Sequence, residues 1–143
     1  MQFARVINPT ADAYQQVVAY SRDITIVDGS ATSLFDVDLP VGSVCGGSFT
    51  YVIRASDGTD HQALTGLVTY ASVNKAGTQT LTITSASAND AKAVSTGTLT
   101  VSFTFVTGTS KSTCKVQPTG SLTETVYTIT MAITPIIGNI TLL

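Results

Sequence analysis

Between Gly97 and Val106, apolar and hydroxyl residues alternate one for one, with Leu99, Val101, Phe103 and Phe105 on one side and Thr98, Thr100, Ser102 and Thr104 on the other. A period of two matches the pleat of an extended chain and fits no helix, so this segment buries one face as a β-strand. Threonine suits the wet face, because β-branching fits the pleat while the hydroxyl stays hydrated. The same alternation runs through Phe49, Tyr51, Ile53 and Ala55, through Leu81 and Ile83, and through Tyr127, Ile129, Met131 and Ile133. Weaker runs are Ile24 to Val27, Phe35-Val37-Leu39 with Asp36 and Asp38 facing out, Leu64 to Val73, Cys114-Val116, and Ile140 to Leu143. The pattern predicts an all-β chain, an antiparallel, jelly-roll-like β-sandwich of about eight to nine strands.

The breaks between runs carry turn chemistry. Asp57-Gly58-Thr59-Asp60, Asn74-Lys75-Ala76-Gly77 and Thr107-Gly108-Thr109-Ser110 each supply residues that tolerate positive φ, and each predicts a hairpin. Gly46-Gly47, inside a strand run, predicts a bulge or a sharp bend of the kind that turns a sheet corner. Two packed sheets follow, rather than one flat sheet. Residues 1–22 lie outside the pattern: Pro9 breaks the chain, and Thr10 is placed to cap a short helix running toward Tyr20. Phe3, Val6 and Ile7 are too few to form a core of their own. The expected division is an N-terminal arm over 1–22, contacting another subunit through Phe3, Val6 and Ile7, and a sandwich domain over 23–143. A first strand of the same sandwich is the competing reading of the arm.

With 143 residues the chain suits one domain, and a chain of this size buries roughly two-thirds of its unfolded surface. Hydrophobic residues make up 43% and charged residues 11%, the reverse of a disordered chain, and Ser and Thr supply roughly a quarter of the sequence. The formal charge is −2, and no basic cluster follows a phosphate backbone, which argues against nucleic acid as a partner. The start, Met1 to Ile7, lacks the basic and long apolar regions of a secretory signal and reads as intracellular. Hydroxyl residues interrupt every apolar run well short of the roughly 20 residues of a membrane helix. Cys45 and Cys114 leave two states open, a bond closing a long loop or two buried free thiols, and a cytosolic origin favours the thiols.

Acid–base catalysis needs positioned titratable groups, and the chain offers a single histidine, His61, and a single glutamate, Glu124. Asp57, Asp60 and His61 superficially form a metal-ligand cluster, but aspartates capping their own turn explain the same letters. Ser72-Val73-Asn74-Lys75 matches an S-x-x-K pattern without its partner motifs and falls across a hairpin. No nucleophile elbow, C-x-x-C pair, phosphate loop or dinucleotide fingerprint is present, and Asn139-Ile140-Thr141 matters as a glycosylation site only in a secreted protein. The expectation is a chain with no catalytic residues, no cofactor and no metal.

Gly47-Ser48-Phe49-Thr50-Tyr51, Ser56-Asp57-Gly58-Thr59-Asp60, Val73-Asn74-Lys75 and Gly97-Thr98-Leu99-Thr100-Val101 together resemble small β-sandwich virion proteins of tailed bacteriophages. The resemblance covers about three-quarters of the chain, from Phe35 onward, and rests on strand and turn segments. It implies a non-enzymatic capsid decoration or cement protein, made in the host cytoplasm and carried on the virion. The implied partners are other copies of itself, as in a trimer, and the major capsid protein or other virion proteins. A neck, tail or fibre component is the alternative, followed by a bacterial surface adhesin or carbohydrate-binding module.

Overall fold

The structure, a computed structural model, describes the backbone of residues 2–7, 15–25, 31–85, 91–122 and 126–143, and side chains within 31–84, 91–122, 127–135 and 138–143. Eleven strands run through these residues: β1 (Gln2–Ile7), β2 (Gln15–Thr25), β3 (Thr32–Asp38), β4 (Val44–Ser56), β5 (His61–Lys75), β6 (Thr78–Ser85), β7 (Ala91–Val94), β8 (Leu99–Thr107), β9 (Lys111–Gly120), β10 (Val126–Ile137) and β11 (Ile140–Leu142). All pairings are antiparallel. One sheet runs β1-β2-β10-β4-β5-β6, with β7 on the same edge of β5 as β6, and the other runs β11-β3-β9-β8. The antiparallel sandwich expected from the alternation is present, with β1 and β7 beyond the expected strands; of the strand expected over Ile24 to Val27, Ile24 and Thr25 end the longer β2, and residues 26 and 27 lie outside the described residues. Among the described residues no helix is long and apolar enough to cross a membrane.

The alternation places the core between the sheets. Leu99 and Phe103 on β8 are buried while Thr100, Ser102 and Thr104 are exposed, and Tyr127, Ile129, Met131 and Ile133 form the buried face of β10. Aromatic rings bridge the sheets: Phe103 lies 5.1 Å from Phe49 and 4.6 Å from Tyr51, and Phe35 lies 5.7 Å from Phe49, ring centre to ring centre. Offset and edge-on contacts of this kind add to the burial of the rings themselves. Cys45 and Cys114 are both buried and both free. Burial pushes both thiols up from their ordinary pKa, so they sit in the core as neutral small hydrophobes.

Three loops carry the hairpins that their residues predicted, joining β4 to β5, β5 to β6 and β8 to β9. Asn74 locks two of them together. It is 1% exposed, its amide donates to the carbonyls of Leu39 and Thr109 at 2.8 Å each, and its oxygen accepts the Gly77 N–H at 3.0 Å. The corner expected at Gly46-Gly47 is made by the partner strand instead: the register shift falls between Pro135 and Ile137 of β10, opposite the two glycines. Proline has no N–H to give a ladder, so a bulge is where it fits. A Cβ on Gly47 would come within 2.5 Å of the Thr134 carbonyl and 2.8 Å of the Tyr70 hydroxyl, so that approach requires glycine.

The N-terminal segment differs from the helix expected after Thr10. Residues 8–14 lie outside the described residues, and from Gln15 onward the backbone is strand, paired with β1 on one side and β10 on the other. Val17, Val18 and Tyr20 are β-formers whose helix propensity is modest, and ladders to β1 and β10 satisfy the strand backbone. Asp36 also departs from expectation. It stands on the outward side of β3 but is 5% exposed, covered by the Lys111 ammonium at 2.6 Å and by the Thr113 hydroxyl. Burial pushes its carboxyl up, and Lys111 with Thr113 outweighs that and holds it below the usual carboxylate range.

Candidate functional site

At one end of the seven-stranded sheet the β4–β5 hairpin closes through the pair Ser56 and His61. Asp57 organises the turn: its carboxylate accepts the N–H of Thr59 at 3.0 Å and of Asp60 at 2.8 Å. Those N–H groups hold its carboxyl below the usual range, the ordinary effect of hydrogen bonds to an anion. Asp60 accepts the Ser95 hydroxyl at 2.8 Å, and the same hydroxyl oxygen accepts the His61 N–H at 2.9 Å. Inside, the Gln62 amide donates to the carbonyls of Thr96 and Thr98 at 2.9 and 3.2 Å, fixing the segment after β7 against the hairpin. The aspartates are thus occupied with turn and loop construction. Among the described residues, no three His, Cys, Asp or Glu side chains form a group able to hold a metal ion.

Strand register lays one row of residues across the outward face beside this turn. Thr128 of β10 stands opposite Arg54 of β4, Arg54 opposite Ala63 of β5, and Ala63 opposite Ala93 of β7. Because side chains alternate, all four share the face turned away from the core. The row forms the floor of a cleft of about 830 Å³, with His61, Ser56 and Ser95 at its rim. Arg54 is exposed, and among the described residues it has no ion-pair partner, the ion pair present being Lys111 with Asp36. No carboxylate lines the described cleft wall. What the cleft offers is a planar, permanently charged donor beside a flat floor of methyl groups, edged by hydroxyls and an imidazole.

Of the residues singled out from sequence, His61 lies at the cleft rim with Asp57 and Asp60 in the adjoining turn, and the others lie elsewhere. Phe3, Val6 and Ile7 fall on β1, at register positions opposite Ala19, Gln16 and Gln15 of β2, on the outer edge of the seven-stranded sheet. Ser72 and Lys75 sit on β5 with Ser72 buried and donating to the Thr80 carbonyl, far along the strand from the cleft. Glu124 lies outside the described residues. Arg54, Ala63 and Ala93 drew no attention in the sequence, since each is an ordinary residue on the wet side of its strand. Register across four strands, which sequence does not display, brings them together.

No family model matches the sequence, and no curated protein matches it. Two solved structures are similar in fold. One is the tailspike protein of Acinetobacter baumannii phage AM24, with a TM-score of 0.52 and 7% identity over 89% of this chain and 28% of that one. The other is the tailspike protein gp49 of Acinetobacter baumannii bacteriophage Fri1, with a TM-score of 0.45 and 12% identity over 98% of this chain and 21% of that one. The chain therefore spans about a quarter of the length of these tailspikes. The gp49 protein is described as a capsular polysaccharide depolymerase, and on that finding the expectation that the present chain is not an enzyme is withdrawn. Fold alone assigns neither an activity nor its absence.

Proposed function

We propose that this chain is a β-sandwich module of a phage tail, of the tailspike or fibre kind, rather than the capsid decoration protein that the sequence resemblance first implied. The likeness of fold to the AM24 tailspike over 89% of the chain is the observation that carries this reading. Its fold is of the kind used in permanent assemblies: a weakly charged, hydroxyl-rich sandwich whose edges neighbours can cover. In this reading β1, with Phe3, Val6 and Ile7, is the edge offered to another copy of the chain or to another virion protein.

The test is to separate purified virions into heads and tails and identify the proteins of each by mass spectrometry. Recovery with the tails is expected. Recovery with the heads would restore the decoration reading, and absence from both would reject a virion role altogether. For the edge contact, deletion of residues 1–9 should lower the assembled mass in solution while leaving the sheet signal in circular dichroism. Loss of that signal would make β1 part of the core instead.

A further inference from the structure

We propose that the outward face of the seven-stranded sheet pairs with the same face of a second copy of this chain, about a two-fold axis lying in the face along β10. Such a pair deepens the contact offered above at β1, since it names the partner as a second copy and moves the contact from the strand edge to the face. It rests on that reading for self-association alone.

Register supplies the geometry. β10 is the middle strand of the run β1-β2-β10-β4-β5, so a half-turn about β10 keeps β10 over β10, exchanges β2 with β4 and exchanges β1 with β5. One outward row across these five strands reads Phe3, Ala19, Ala132, Thr50 and Leu67. The half-turn brings Ala132 over its own copy, the Ala19 position over the partner's Thr50, and the Phe3 position over the partner's Leu67. Val52 and Leu67, each 42% exposed, leave water in this arrangement, which is the driving force for the contact. Small residues on the outward side of β10, Thr130, Ala132 and Thr134, let two twisted sheets approach in the aligned stacking of an ordinary sandwich.

Charge selects the partner. The outward row next to the β4–β5 hairpin reads Asp23, Thr128, Arg54 and Ala63. Arg54 is exposed and has no ion-pair partner among the described residues, and the Asp23 position is two strands away, about 10 Å. An uncharged partner laid on this face would bury the guanidinium without a counter-charge, which is strongly unfavourable. A second copy carries the counter-charge at the matching place: the half-turn sets Arg54 over the partner's Asp23 and the Asp23 position over the partner's Arg54. At the far edge the Arg5 position of β1, two residues from Phe3, comes over the partner's Thr69, so no like charges meet there. From Thr128 to Thr134 and from β1 to β5 the shared face measures about 20 Å by about 19 Å, roughly 400 Å² of flat sheet per copy. Two such faces lie at the small end of specific interfaces, and the dimer should be a reversible one.

The experiment is sedimentation equilibrium of the full chain from about 1 μM to about 1 mM, where the mass should rise from one copy to two. Arg54→Asp alone and Asp23→Arg alone each set like charges across the axis and should weaken the dimer at least about tenfold, and the double variant should recover most of that loss. Leu67→Glu, on the same face away from the charge pair, should weaken it as well, with circular dichroism confirming that each variant folds. Ala132→Cys places a thiol at the axis while Cys45 and Cys114 stay buried, so a short bismaleimide should link two copies through residue 132. A mass of one copy at every concentration, a mass of three copies, a double variant no better than either single one, or a dimer indifferent to all these changes would each overturn the two-fold face. A monomer recovered with the phage tails would reject the dimer and keep the tail module. A face-paired dimer recovered with the heads would do the reverse.

Discussion

On the outward face of the seven-stranded sheet Val44 stands opposite Val73, 52% and 43% exposed, and Val52 and Leu67 lie further along the same two strands at 42% each. On the outward face of the four-stranded sheet the exposed positions include Thr100, Ser102 and Thr104 of β8 and Thr119 of β9, with one valine, Val106 at 51% exposed, near the end of β8. Valine and threonine have nearly the same shape and the same preference for a pleated backbone, so the two faces fold equally well. They differ in what water can do for them. A threonine face keeps its hydration, whereas each exposed valine leaves apolar area in contact with solvent. The Arg54 cleft opens on the apolar face, and the buried Asp36–Lys111 pair belongs to the polar one. Distribution of the hydroxyls, more than their number, therefore separates a surface suited to contact from one suited to solvent.

The largest effect to be measured lies in the core that both faces enclose. Phe103→Ala removes the ring packed on Phe49 and Tyr51 and should cost about 3–5 kcal/mol in urea unfolding. Thr100→Ala, on the other side of the same strand, should stay within about 0.5 kcal/mol. A comparable loss at Thr100 would mean that the polar face is covered in solution, and the contrast between the faces would fail.

A smaller effect should appear with pH on the polar face. Asp36 has a folded pKa below its unfolded value, so its contribution is present above the unfolded carboxylate range near pH 4 and is lost as pH falls through the lower folded value. Stability measured from pH 6 down to pH 2 should decline, and part of that decline should vanish in Asp36→Asn. An unchanged acid limb in the variant would show that the Lys111 contact contributes nothing. Burial raises the Tyr70 hydroxyl and the Cys114 thiol instead, so their contributions are full below their unfolded values and fade as the solution becomes alkaline.

The smallest change is expected on the apolar face. Val52→Thr with Leu67→Thr should move the stability of the isolated chain by less than about 0.5 kcal/mol per site. A loss of several kcal/mol would show that this face is already packed against something, and its likeness to an open surface would be withdrawn.

Much of the fold could be read from the chain because a period of two is a local property. Leu99 to Phe105 and Tyr127 to Ile133 declare a buried side and a wet side without reference to any neighbour, and turn residues such as Asp57-Gly58 mark the hairpins by their own backbone preferences. The N-terminal strands were less legible. Residues 15–20 carry valines and a tyrosine without clean alternation, and their state was settled by ladders to β1 and β10, the latter more than a hundred residues away in sequence. Asp36 was placed on the correct side of its strand yet expected in water, because the residues that cover it, Lys111 and Thr113, arrive from β9.

The cleft shows the same division most sharply. Sequence by itself determined that Arg54 would lie on the outward side of its strand, since the alternation of Phe49, Tyr51, Ile53 and Ala55 fixes the side. It left open that Ala63 stands opposite Arg54, with Thr128 and Ala93 in one row, because register between strands is a relation between distant segments. Pleat and turn preferences are paid residue by residue and leave their mark in local sequence. Pairing across sheets is decided by how the whole core packs, and only the tertiary structure records it.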